Sequence, residues 1–118
     1  MNDAQQAKDY ADAWVHAWNN RDLDGILKHY ADDVVFRSPR IEAVTGEKAG
    51  FVKGVDNLRA YWTKALSLAT EIHFELERVY WGKNTITIAY KNHRGQHVAE
   101  TLVFNDQGVV VEGIVTHV

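Results

Sequence analysis

The chain is 118 residues long with a formal charge of -3 and a pI near 6.0, which leaves no basic footprint for nucleic acid or for an anionic lipid surface. At 13.4 kDa it has the length of one domain, residues 1–118, able to bury roughly two-thirds of its unfolded surface. No cysteine is present, so disulfides, a thiol nucleophile and cysteine-ligated zinc are excluded, and the run from Met1 to Gln6 has neither the basic nor the apolar stretch of a signal peptide or membrane span. The sequence therefore reads as that of a cytoplasmic protein.

Asp3-x-x-Gln6 has the form of a capping box, and Ala7, Tyr10, Ala11, Trp14, Ala17 and Trp18 then recur at helical spacing. This predicts an amphipathic helix ending near Asn19 and Asn20. Asp22 is placed to cap a second, short helix running through Tyr30, with Leu23, Ile26, Leu27 and Tyr30 as its buried stripe. Val34, Phe36 and Ser38 alternate with Val35 and Arg37, which predicts a strand stopped by Pro39, the only proline. Residues 40–54 read as a loop rich in glycine and charge. Its arginine and glutamate side chains are expected as surface charges, with a lid over a pocket as the alternative. A third helix is predicted from Asp56, because Leu58, Tyr61, Trp62, Ala65, Leu66 and Ala69 fall on one stripe.

From Glu71 the apolar period drops from about 3.6 to 2, the change from helix to strand. Ile72, Phe74 and Leu76 alternate with polar residues, residues 82–84 turn the chain, and Ile86, Ile88, Tyr90 and Asn92 form the next apolar face. Asn92-His93-Arg94-Gly95 is the signature of a type I turn followed by a left-handed glycine. That turn sets a register in which Asn92 faces Gln96, Tyr90 faces Val98, Ile88 faces Glu100 and Ile86 faces Leu102. Glu100 then interrupts an inward face of Val98, Leu102 and Phe104, where a carboxylate is costly unless paired, protonated or used. On the opposite reading of the strand it is an ordinary solvated glutamate. A further hairpin opens at residues 105–108, but for the last strand Val109, Val111, Gly113, Val115 and His117 compete with Val110, Glu112, Ile114, Thr116 and Val118 for the inner face. The outer face of Thr85, Thr87, Ala89, Ala99, Thr101 and Val103 is flat and β-branched, which predicts a homodimer.

Three helices followed by a long antiparallel meander make an α+β fold, a cone-shaped curved antiparallel sheet packed against three N-terminal helices. The run from Trp18-Asn19-Asn20-Arg21-Asp22-Leu23 through Tyr30-Ala31-Asp32-Asp33-Val34 to Ser38-Pro39 resembles the opening of a SnoaL-like domain, of the nuclear transport factor 2-like superfamily. Gly54-Val55-Asp56-Asn57-Leu58-Arg59-Ala60-Tyr61-Trp62, and Tyr90 to Gly95 through Glu100 to Gly108, extend that resemblance over nearly the whole chain. It implies a cavity between sheet and helices. Relatives include ketosteroid isomerases, polyketide cyclases, epoxide hydrolases, dehydratases and plain binding modules, so the fold leaves function open.

Set against the ketosteroid isomerase branch, the resemblance puts Ser38 where that group has its general-base aspartate and Trp14 where it has an oxyanion-hole tyrosine. A serine hydroxyl cannot abstract a proton near neutral pH without a partner base, and an indole donates only through its nitrogen. The other oxyanion donor, a protonated aspartate, falls on Glu100. The resemblance also places Gly113 opposite Glu100 and turns His117 inward, roughly 13 Å along the strand from that point. The implied pocket residues are Trp14, Trp18, Tyr30, Phe36, Ser38, Trp62, Tyr90, Asn92 and His117 around Glu100, and the implied ligand is a small apolar or ring-containing organic molecule. His93 and His97 flank the hairpin turn with no third ligand spaced to join them, so no metal is expected, and no cofactor motif is seen. His16 lies off the apolar stripe and reads as solvated. Two function classes follow. One is an enzyme of the isomerase, cyclase or dehydratase kind, with Glu100 as acid or base and Tyr90, Asn92, Ser38 and His117 positioning the substrate. The other is a non-catalytic ligand-binding or dimerisation module.

Overall fold

Helix α1 (Ala4–Asn19) begins where the capping box stands: Asp3 Oδ1 accepts from Gln6 N at 2.7 Å, satisfying one of the N–H groups that a first turn leaves free. Its buried stripe is Ala7, Ala11, Trp14 and Trp18. The computed structural model describes residues 3–118; Met1 and Asn2, part of the run read above for a leader, lie outside them. Helix α2 (Leu23–Leu27) is capped by Asp22, whose Oδ1 accepts from Gly25 N at 2.9 Å. The remaining elements are β1 (Tyr30–Arg37), α3 (Arg40–Thr45), β2 (Phe51–Lys53), α4 (Val55–Leu68), β3 (Glu75–Gly82), β4 (Thr85–Lys91), β5 (His97–Phe104) and β6 (Val110–His117). No helix among the described residues is long and apolar enough to cross a membrane.

The strands form one sheet in the order β2-β1-β6-β5-β4-β3, antiparallel except where β1 runs parallel to β6. The helices cover one face of this curved, open sheet, so the α+β class and the family architecture expected from the sequence stand. Inward side chains Ile86, Ile88, Val98, Leu102 and Phe104 meet the helical stripes in one core. The outer face of β4 and β5 is half-buried, and Thr87 and Thr101 bond each other through their hydroxyls at 2.8 Å.

Several elements differ from expectation, each for a tertiary reason. The second helix stops at Leu27 rather than running through Tyr30, because Val110 N donates to His29 O at 2.8 Å and Tyr30 pairs with Val110. The 40–54 loop contains α3, anchored by the fully buried Ile41, and the short strand β2, which pairs with β1. Among the described residues there are thus four helices rather than three. Helix α4 starts one residue early, with Gly54 at its N-cap in a conformation, φ 93°, that other residues rarely adopt. Ile72 and Phe74 pack on the core from an extended stretch, and the β3 ladder begins only at Glu75.

The β4–β5 hairpin has the register read from its turn: Tyr90 pairs with Val98, Ile88 with Glu100 and Ile86 with Leu102. Asn92 N donates to Gln96 O at 2.9 Å, and Gly95 takes the left-handed position at φ 75°. The last strand departs from the resemblance. Glu100 pairs with Val115 and Gly113 with Leu102, a slip of two residues from the expected register, one of them contributed by a bulge between Val103 and Phe104. Gly113 belongs there sterically, since a Cβ on it would come within 3.2 Å of the Phe36 ring.

Two side chains tie the segment before β3 to the helices. Asn19 Nδ2 donates to Phe74 O at 3.0 Å while its Oδ1 accepts from Phe74 N at 2.7 Å. Arg21 donates to Leu66 O at 2.9 Å, which also accepts from Ala69 N, and to Ala69 O at 2.8 Å, holding the end of α4. Asn19→Ala should therefore lower the unfolding free energy by about 2 kcal/mol, two net hydrogen bonds' worth, with the urea m-value unchanged. A loss below about 0.5 kcal/mol would mean that ring packing alone holds Phe74.

Candidate functional site

Between the sheet and helices α1 and α4 lies a cavity of about 150 Å³. Helix α1 contributes Trp18, α4 contributes Tyr61 and Trp62, β1 contributes Phe36, and Phe74 and Tyr90 close the β3–β4 side. The rings contact one another: Trp18 and Trp62 are 4.9 Å apart edge-on, Trp62 and Phe36 5.2 Å, Phe74 and Tyr90 4.4 Å. Such pairs fix the wall by packing rather than by hydrogen bonds.

Glu100 lies on this wall and is 3% exposed, so its strand faces inward as the hairpin register required. Its Oε2 has no hydrogen-bond partner among the described residues. Burial alone pushes its carboxyl up to about 8, so it is mostly protonated at neutral pH. The phenols of Tyr10, Tyr30, Tyr61 and Tyr90 feel its charge. Burial first, and the Glu100 charge second, raise the hydroxyls of Tyr10, Tyr30 and Tyr90, all of which stay protonated. Three further buried polar atoms lack partners: Trp14 Nε1, Trp18 Nε1 and Tyr30 Oη. The Trp14 indole works against the rise at Tyr30, but the two groups meet without hydrogen-bond geometry.

Of the residues expected at the pocket, Trp18, Phe36, Ser38, Trp62, Tyr90, Asn92 and His117 line the cavity with Glu100. Trp14 and Tyr30 do not. Trp14 packs behind the wall against Trp18, Phe74 and Tyr90, and Tyr30 against Trp62. Ser38 is buried, but its Oγ accepts from Arg40 N at 3.2 Å, so the hydroxyl that takes the general-base position serves the backbone. Beside it the Tyr61 phenol is raised by burial, held back by the Arg40 charge and by Ser38.

The slip of β6 changes the place of His117. It pairs with Val98, two residues from the point opposite Glu100, so the separation along the strand is about 7 Å rather than the 13 Å implied by the resemblance. Its side chain is exposed and lines the cavity, as does Asn92, which Gln96 holds at 3.0 Å. His97 points to the outer face and meets Glu77 at 2.9 Å, whereas His93 lines the cavity, so the two do not share a site. Among the described residues no three histidine or carboxylate groups come together to hold a metal. Arg40, at the start of α3, and Arg94, in the β4–β5 turn, also line the mouth, in segments too short to show a period.

A curved open sheet with helices over one face and an aromatic cavity between them defines a nuclear transport factor 2-like pocket domain. The chain belongs to the SnoaL-like domain family, whose model matches residues 11–117. A SnoaL-like protein of unknown function from Burkholderia thailandensis is 32% identical, with 98% of this chain and 97% of that chain covered at a TM-score of 0.91. AclR, a candidate hydroxylase from Streptomyces galilaeus, shares the fold at 21% identity, TM-score 0.73, covering 98% and 91%. TerC, crystallised with polyporic acid, does so at 13% identity, TM-score 0.75, covering 95% and 91%. No protein of curated function matches the chain.

The raised carboxyl ties stability to pH. A folded-state value above the ordinary 4.5 means that the carboxyl's contribution is complete below 4.5 and is lost as pH rises towards about 8. The stability of the native chain relative to Glu100→Gln should thus fall by on the order of 3 kcal/mol between pH 4.5 and 7, and level off above 8. Carbon-13 titration of the Glu100 carboxyl checks the cause directly, and a midpoint at the ordinary value would remove it.

Proposed function

We propose that the chain binds a small ring-containing molecule in the cavity, with protonated Glu100 donating a hydrogen bond to a carbonyl or hydroxyl oxygen of that molecule. The single observation that carries this reading is an unpartnered, neutral carboxyl on the wall of an aromatic cavity. Trp18 Nε1, also without a partner and also on the wall, is a second donor for the same oxygen. Two neutral donors in a dry pocket stabilise negative charge that develops on an oxygen as a neighbouring bond is broken or a proton moves. That chemistry fits an isomerase, cyclase or dehydratase. Among fold relatives, one from Sinorhizobium meliloti is a candidate polyketide cyclase and one from Agrobacterium tumefaciens a candidate isomerase, which supports the class without fixing the reaction.

The second reading, a non-catalytic binding module, is favoured by Ser38, which offers no base and is already engaged by Arg40 N. The two readings part at Glu100→Gln. Cyclic enones and aryl ketones should quench tryptophan fluorescence saturably, because Trp18 and Trp62 line the site. If the protein is an enzyme, the variant should keep binding within a few-fold and lose about 10²-fold or more in kcat for isomerisation or dehydration of such ketones, followed by ultraviolet absorbance. Saturable binding with no turnover in the native protein selects the binding module, and no binding at all removes both.

We propose in addition that two copies associate through the outer face of β4 and β5, where Thr87 and Thr101 satisfy each other and leave a surface of small side chains. Light scattering should give twice 13.4 kDa at tens of micromolar protein, and the monomer mass would refute it.

A further inference from the structure

The mouth of the cavity carries charge that the donor chemistry at its base does not use. Arg40, opening α3, and Arg94, in the β4–β5 turn, both line the cavity, and neither guanidinium has an ion pair or hydrogen bond among the described residues. Two arginines away from the cavity are paired, Arg37 with Glu112 at 3.7 Å and Arg59 with Asp24 at 2.7 Å, while Arg78 on β3 has no ion pair among the described residues. A third guanidinium, Arg21, is fixed on the carbonyls of Leu66 and Ala69, two residues that themselves line the cavity. His93 reports the resulting field. Its imidazole is held below its usual value by burial, then by Arg94, Arg40 and Arg21, with Glu71 the one carboxylate working the other way. In a chain of net charge -3, two arginines on one cavity lining with a third fixed to the backbone behind it run against the average.

Size sets which part of a ligand reaches that opening. A cavity of about 150 Å³ accepts one ring, since an engineered apolar cavity of about that volume takes up benzene. With the ring inside, against Trp62 and Phe36, a substituent is left at the mouth. Glu100, neutral at the inner wall, puts no charge there to repel an anion.

We infer that the ligand is an anion of mixed character, a single ring or comparable apolar body seated in the cavity with a carboxylate or similar planar oxyanion held outside by Arg40 and Arg94. The planar fork of a guanidinium matches the two oxygens of a carboxylate, and such charge-assisted bonds are roughly twice as strong as neutral ones. This rests on the cavity being the ligand site, as proposed above, and adds the charge of what enters it.

The test uses 3-phenylpropionate and its neutral analogue 3-phenylpropanamide, with tryptophan quenching as the readout of binding. The carboxylate should bind about tenfold tighter than the amide at low salt, and the advantage should shrink as salt screens the mouth. Arg40→Gln with Arg94→Gln should abolish the advantage while leaving amide affinity within about twofold, and Arg40→Lys with Arg94→Lys should keep part of it. Proton titration of His93 gives an independent reading: its midpoint should rise when the carboxylate is bound and stay fixed with the amide, because only an anion offsets the guanidinium charges. Equal affinity for the two probes, or a preference that survives the double glutamine variant, overturns the inference while leaving the cavity as a site. Failure of both probes to bind overturns the cavity reading and this inference together.

Discussion

A carboxyl buried among aromatic rings without a partner has one inexpensive state, the protonated one, and the surroundings of Glu100 are arranged so that no other is offered. No lysine, arginine or histidine reaches its unpartnered oxygen, and the hydroxyls that feel its charge belong to tyrosines raised by the same burial. The wall around it is built from ring contacts, which exclude water without supplying a counter-charge. A basic side chain placed in that wall would satisfy the acid and end its use as a donor. The dryness of the aromatic core and the protonation of Glu100 are thus one constraint seen from two sides.

What holds the constraint in place is largely local. The turn at Asn92 to Gly95 aligns β4 with β5, and that alignment alone decides that Glu100 faces Ile88 on the inner side. This part was legible in the residues because turn chemistry and side-chain alternation act over a few positions and agree. The aromatic stripes of α1 and α4 were legible for the same reason, being periodic over three or four turns. The short elements were not. Six residues of α3 and three of β2 are too few to show a period, and what stabilises them is the burial of Ile41 and pairing with β1.

The misplaced residues failed on long-range grounds. The register of β5 with β6, including a one-residue bulge that no pattern of alternation announces, sets Gly113 away from Glu100 and His117 nearer. The spacing of Leu23, Ile26 and Leu27 predicts a helical Tyr30, whereas its strand partner Val110 lies 80 residues further along the chain. Trp14 and Tyr30 have the composition of pocket residues but stand one layer behind the wall, a distinction between lining and backing that depends on packing depth. Arg40, His93 and Arg94 carry the opposite lesson: their loops looked like solvated surface, and only the fold turns them to the same opening.

The position of β6 has a consequence for how the molecule is made. It is the last strand along the chain, yet it sits in the interior of the sheet, between β1 and β5. Until it arrives β1 has only the three-residue β2 as a partner, and the Phe36 ring has no glycine to lie against. The β3–β4–β5 meander assembles through neighbours, but joining it to the helical half requires pairing Tyr30 with Val110 across the greater part of the polypeptide, a step of high contact order and high entropic cost. The aromatic faces of α1 and α4 therefore stay uncovered on that side until β6 has docked beside β1, so the arrival of this one strand is what closes the core.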